Sequence, residues 1–170
     1  MLGHLREVKD PFRAPEAARL LPCDSRIEII HIGSALSPDM ETRAQAETQS
    51  NPRYRWVGEH PRWKAIRLLA RSHLLVLTST MEGGANAISE ALACSVPILS
   101  SRISGSIGLL GKDYPGYFPV ENTEALADLM YRAETDGAFY ADLEKHCIQK
   151  SPIVDPANEL QAWSNFLDEL

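Results

Sequence analysis

Glu82-Gly83-Gly84-Ala85-Asn86-Ala87-Ile88-Ser89-Glu90 stands between an apolar strand-like run and an apolar helix-like run, and its reading decides the fold. Upstream, His73-Leu74-Leu75-Val76-Leu77 is a short continuous apolar run, the pattern of a strand buried on both faces of a parallel sheet. Thr78, Ser79 and Thr80 end it. Downstream, Ile88, Ala91 and Leu92 fall at i, i+3 and i+4, so one helix face packs on the sheet while Glu90 lies off that stripe. Asn86 is the expected N-cap, and Gly83 and Gly84 let the backbone turn tightly and approach a ligand. A helix opening there points unpaired N–H groups beyond the strand ends, where an anion is welcome.

Glu82 and Glu90 frame this junction with seven residues between them, and neither is needed for folding. Carboxylates repel phosphate, so their useful targets are hydroxyl donors flanking it. An ionised carboxylate accepts two hydrogen bonds at once, which suits sugar and ribose hydroxyls. Anion-binding amides between two such acids describe a site for a nucleotide sugar.

The remaining chain supports an α/β reading. Helices are expected over 12–21, 38–49 and 61–71, the last with Trp63, Ile66, Leu69 and Ala70 inward. Strands are expected over 27–33, 54–57, 73–77, 96–100 and 117–120, with a glycine-rich loop, with room for one helical turn, over 104–111. Helices over 123–134, 138–146 and 157–170 close the chain. Alternation of this kind predicts a doubly wound parallel sheet, Rossmann-like, with ligands at the carboxyl ends of its strands. No internal linker divides the 170 residues, so 1–170 reads as one domain.

The spacing E-x7-E, as E-G-x-x-N-A-x-x-E-A over Glu82 to Ala91, resembles the donor-binding motif of retaining glycosyltransferases of family GT4, which have the GT-B fold. The resemblance implies that Glu90 holds the ribose hydroxyls of a UDP-sugar donor and that Glu82 contacts the donor sugar. Loop amides near Gly83, Gly84, Ala85, Asn86 and Ala87 would touch the diphosphate. It also implies a basic pair after the first strand that stabilises charge on the departing diphosphate. Lys9 matches the lysine of that pair. The arginine usual five positions earlier is His4 here, so either Arg6 or a protonated His4 stands in for it. The uracil would lie near Glu59 and His60, which read equally well as a polar loop before a helix.

The likeness covers nearly the whole chain but only the C-terminal, donor-binding half of a GT-B enzyme. The opening residues read as a strand cut into, which agrees, and an N-terminal acceptor domain is the implied partner. Such a half would bind donor weakly and transfer nothing alone. A narrower similarity, carried by residues 3–13, 82–86 and 101–111, is to bacterial selenosugar synthases, which join selenophosphate to the sugar of UDP-N-acetylglucosamine. Two other readings share the nucleotide site: a non-catalytic nucleotide-sugar-binding module and a GT-B epimerase.

Composition and motifs exclude other classes. Ser104 and Gly105 open a stretch that invites a phosphate-loop reading, but Gly105 and Gly111 are one residue too far apart for a Walker A loop and Asp113 stands where Ser or Thr is required. Ser104 and Gly105 are instead expected to border the donor pocket, where either substrate contact or flexibility accounts for them. No His pair has ligand spacing and no Asp-x-Asp occurs, so no metal or other cofactor is expected. Cys23, Cys94 and Cys147 are scattered and read as free thiols. The net charge of -6 disfavours nucleic acid, despite the basic stretch 53–71. No apolar run approaches the roughly 20 residues of a membrane helix, and a cytoplasmic location is the expectation.

Overall fold

The computed structural model describes residues 1–168. In chain order the elements are α1 (Arg13–Arg19), β1 (Ile29–His31), α2 (Pro38–Ser50), β2 (Tyr54–Trp56), α3 (Arg62–Leu69), β3 (Leu75–Leu77) and α4 (Asn86–Ala93). β4 (Ile98–Ser101), α5 (Ser104–Leu110), β5 (Tyr117–Phe118), α6 (Thr123–Thr135), α7 (Gly137–Lys150) and α8 (Pro156–Asp168) follow. The expected last helix is α8; positions 169 and 170 lie outside the described residues.

Every strand pair is parallel, β1 with β2 and β3 with β4 with β5, and each connection passes through a helix as parallel pairing requires. The α/β class therefore stands, but the expected single sheet is divided in two. The opening residues extend the first sheet: the Gly3 N–H donates to Ile32 O and the Leu5 N–H to Ser34 O, both at 2.9 Å. A glycine is required at position 33, where φ is +154° and a Cβ would lie 2.0 Å from Gly3 O.

The core lies around the second sheet. Leu75, Ile98 and Leu99 from the strands, Ile88 and Leu92 from α4, Leu126 and Met130 from α6 and Leu143 from α7 are almost wholly buried. Removing a side chain of this size from water contributes about 1.5–3 kcal/mol. The α4 stripe is thus the one read from Ile88, Ala91 and Leu92, all at 0% exposure.

Two expectations about helices are corrected. In α3 the buried residues are Ala65 and Leu69, while Trp63 is 67% exposed and Ala70 also faces out. The true i, i+4 stripe begins on a small residue, and the bulk of Trp63 misdirected the reading. Residues 104–110 form a helix rather than a loop, with Leu110 buried and Ile107 partly so on one side. Gly105 and Gly108 lower helix propensity, and packing overrides them.

Candidate functional site

The carboxyl ends of β1 and β3 and the first turn of α4 enclose a cleft of about 410 Å³. Of the residues singled out in the sequence, His4, Arg6, Lys9, Glu59 and His60 line one part of it. Glu82, Gly84, Asn86, Ala87 and Glu90 line the other. Gly83, Ala85, Ser104 and Gly105 do not line it. A larger cleft of about 650 Å³ opens between residues 26–30 and 71–76, toward the other ends of the strands, and contains none of the predicted residues. Size does not identify the site here; the convergence of charged and polar groups does.

Lys9 is set by a 3-10 turn, Glu7–Lys9, whose end is marked by Asp10 at φ +41°. The turn is stitched to the end of β3. The Thr78 hydroxyl lies 2.9 Å from Lys9 O and 2.8 Å from Asp10 O, within donating range of both, and the Thr80 N–H donates to Val8 O at 2.9 Å. The ammonium of Lys9 thereby reaches Glu82 and forms an ion pair with its Oε1, which also accepts from the Ser79 hydroxyl at 2.8 Å. Ser79 is 1% exposed, and its carbonyl accepts from Ser101 Oγ at 2.5 Å.

The glycines sort differently from the sequence reading. Gly83 and Gly84 have no positive φ, and a Cβ at either would meet nothing within 4 Å, so the turn itself does not demand them. Gly105 is the constrained one: a Cβ there would lie 2.5 Å from Glu82 O. What reads in the sequence as flexibility is a close approach of α5 to the backbone of Glu82.

Asn86 is not the N-cap of α4. Ala85 takes that position with its methyl buried at 2% exposure, and no side chain caps the helix. The N–H groups of Asn86 and Ala87 have no protein acceptor among the described residues, and both residues line the cleft. An uncapped helix start at a cleft wall offers donors and the positive end of a dipole to an anion.

Glu90 lies within the same helix, and its Oε1 is 3.4 Å from Arg62 Nε. Arg62 is 84% exposed, so the pair adds little to stability and the carboxylate remains available to a ligand. His4 is exposed and its Nδ1 accepts from the Ser34 N–H at 3.1 Å, which places the ring hydrogen of the neutral form on Nε2. Arg6 and Glu59 are exposed, and His60 Nδ1 bonds Glu59 O at 3.0 Å. Burial, and then the charge of Glu90, push the Cys94 thiol up, which leaves it protonated and suits packing rather than nucleophilic chemistry. Sequence reasoning gave Ser79 and Thr78 no role beyond ending a strand. Their signal was hydroxyls at a strand end leading into the acidic loop.

Residues 1–152 match the family described as Glycosyl transferases group 1. The chain belongs to that family. Among solved structures, this group 1 glycosyltransferase chain is similar to Anabaena HepE in complex with UDP and glucose, at 21% identity and a TM-score of 0.81. The match covers 99% of this chain and 48% of that one. HepE in complex with UDP-glucose gives 21% identity, the same coverage and a TM-score of 0.80. The sucrose-phosphate synthase of Thermosynechococcus elongatus matches at 18% identity with a TM-score of 0.74, over 98% of this chain and 44% of that one. The group 1 chain therefore spans about half the length of the structures it matches, and at these identities the likeness shows the fold, α/β and Rossmann-like as in glycosyltransferases of the GT-B type. No described helix is long and apolar enough to cross a membrane.

Proposed function

We propose that this chain is the donor-binding half of a retaining glycosyltransferase of family GT4 that uses a UDP-sugar. One observation carries the reading: Lys9, Glu82, Glu90 and the uncapped first turn of α4 line a single cleft of about 410 Å³. The cation and the free amides suit a diphosphate, and the two carboxylates suit hydroxyls on either side of it. In this reading Glu90 takes the ribose and Glu82 the sugar, while Lys9, with Arg6 or His4, stabilises the departing UDP where charge develops. Glu59 and His60 border the base. No separate base is assigned for the acceptor, because the leaving phosphate can take its proton, and no metal is part of the reaction. HepE, bound to UDP and glucose in one structure and to UDP-glucose in another, supports a UDP-sugar as the class of donor.

The finer reading, UDP-N-acetylglucosamine as donor and selenophosphate as acceptor, is supported by residues 3–13, 82–86 and 101–111. The test is calorimetric titration with UDP, UDP-glucose and UDP-N-acetylglucosamine. Glu90→Ala is expected to weaken all three by about tenfold or more, since a hydrogen bond to a charged group contributes about 1.5–3 kcal/mol. Wild-type affinity for UDP in Glu90→Ala would remove the ribose role. A preference of less than about threefold between the two sugars, around 0.6 kcal/mol, would count against the finer reading.

A further inference from the structure

Glu82 is held asymmetrically. Lys9 and the Ser79 hydroxyl both reach the same oxygen, Oε1. Oε2 has no hydrogen-bond partner among the described residues, and it is not sealed from solvent. The side chain is 10% exposed, and Glu82 lines the cleft. Three constraints fix this orientation. Ser79 is buried and tied to β4 through Ser101, Thr78 holds the turn that carries Lys9, and Gly105 admits the Glu82 carbonyl where any other residue would push it away.

We propose that Ser79 is a positioning residue that, together with Lys9, occupies Glu82 Oε1 and leaves Oε2 as the oxygen that accepts from the donor sugar. The inference rests on the UDP-sugar reading and sharpens it. A free carboxylate offers both oxygens to neighbouring hydroxyls, whereas one whose first oxygen already takes two donors offers only the lone pairs of the second, which fixes the direction from which a hydroxyl can approach. Ser79 touches no ligand in this scheme; it acts through Glu82.

The experiment compares UDP with UDP-N-acetylglucosamine binding in wild type, Ser79→Ala, Ser79→Thr and Glu82→Ala. Wild type is expected to bind the UDP-sugar more tightly than UDP. Ser79→Ala should lose about tenfold in affinity for the UDP-sugar and leave UDP unchanged, by the strength of a hydrogen bond to a charged group. Ser79→Thr, which keeps the hydroxyl, should restore the difference. Ser79→Cys keeps the volume and weakens the donor, so it should fall between them and serves if the alanine variant does not fold. Equal losses for both ligands in Ser79→Ala would mean that the hydroxyl merely shapes the turn, and would overturn the inference. So would a sugar preference that disappears in Glu82→Ala and survives in Ser79→Ala, an outcome that leaves the donor reading intact. A wild-type chain that binds neither ligand at millimolar concentration overturns both.

Discussion

At Gly105 one added carbon decides whether Glu82 stays where it is. A Cβ would stand 2.5 Å from Glu82 O and 3.2 Å from Glu82 Cβ, distances that force backbone or helix to move. Gly105→Ala is therefore expected to destabilise the fold by about 1–3 kcal/mol, the range for overpacking, and to weaken UDP-sugar binding. Gly83→Ala and Gly84→Ala, with open space around the new methyl, should unfold within about 0.5 kcal/mol of wild type by urea denaturation. If Gly105→Ala is as stable as these two, the close approach is relieved more easily than the geometry implies. At this scale the sequence was legible for charge and obscure for contact. Lys9, Glu82 and Glu90 announce themselves by type and spacing, and the structure brings them to one cleft. Ser79 and Gly105 do not, because what makes them matter is a neighbour three residues away through a turn, or twenty-three through the fold.

Elements were legible where their ends carry chemistry. Pro38 opens α2 behind Ser37, whose hydroxyl accepts from the Met40 N–H at 3.3 Å, and Asn122 opens α6 by accepting from the Ala125 N–H at 2.8 Å. Asn122→Ala should lower stability by about 1 kcal/mol, the usual effect of losing such a cap, with donor affinity unchanged; thermal unfolding and calorimetry together check both halves. The same rule misled at α4, where Asn86 sits one position inside the helix it was expected to cap. The cap position is filled by Ala85 because its methyl is needed in the core. A helix that begins at a binding cleft keeps its donors unspent, so the absence of a cap is the informative departure there. Strands were read one to four residues too long, since the runs that suggest them extend beyond the hydrogen-bonded ladder at one end or the other.

For the whole molecule, burial of a titratable ring sets the response to acid. His31 is 2% exposed, between Gly3 O at 3.2 Å from Nε2 and Tyr54 Oη at 3.0 Å from Nδ1, which fits a neutral ring donating to the carbonyl and accepting from the phenol. Burial lowers its pKa from 6.5 to about 3. Below pH 6.5 the unfolded chain gains a proton that the folded chain refuses, so stability from this group is complete above pH 6.5. It is lost as pH falls toward 3, at a slope of up to about 1.4 kcal/mol per pH unit. Urea unfolding across pH 4–7 should show this decline, and His31→Gln should flatten it below pH 6. A profile unchanged in His31→Gln would assign the slope elsewhere. The fold class was legible from alternation alone. The division into two parallel sheets was not, because which strands share hydrogen bonds depends on how residues 1–5 lie beside Ile32 and Ser34, a contact thirty positions away.

In the UDP-sugar reading proposed above, the ion pair between Lys9 and Glu82 has a kinetic side. A lysine left alone in a cleft would cling to a spent diphosphate as firmly as to a fresh donor. Here the protein carries its own tethered counter-ion beside that lysine, at an effective concentration no free nucleotide matches. Because Lys9 stays paired with Glu82 while the sugar occupies the other oxygen, its charge is tempered throughout the cycle, and the spent nucleotide is held less firmly than a bare lysine would hold it.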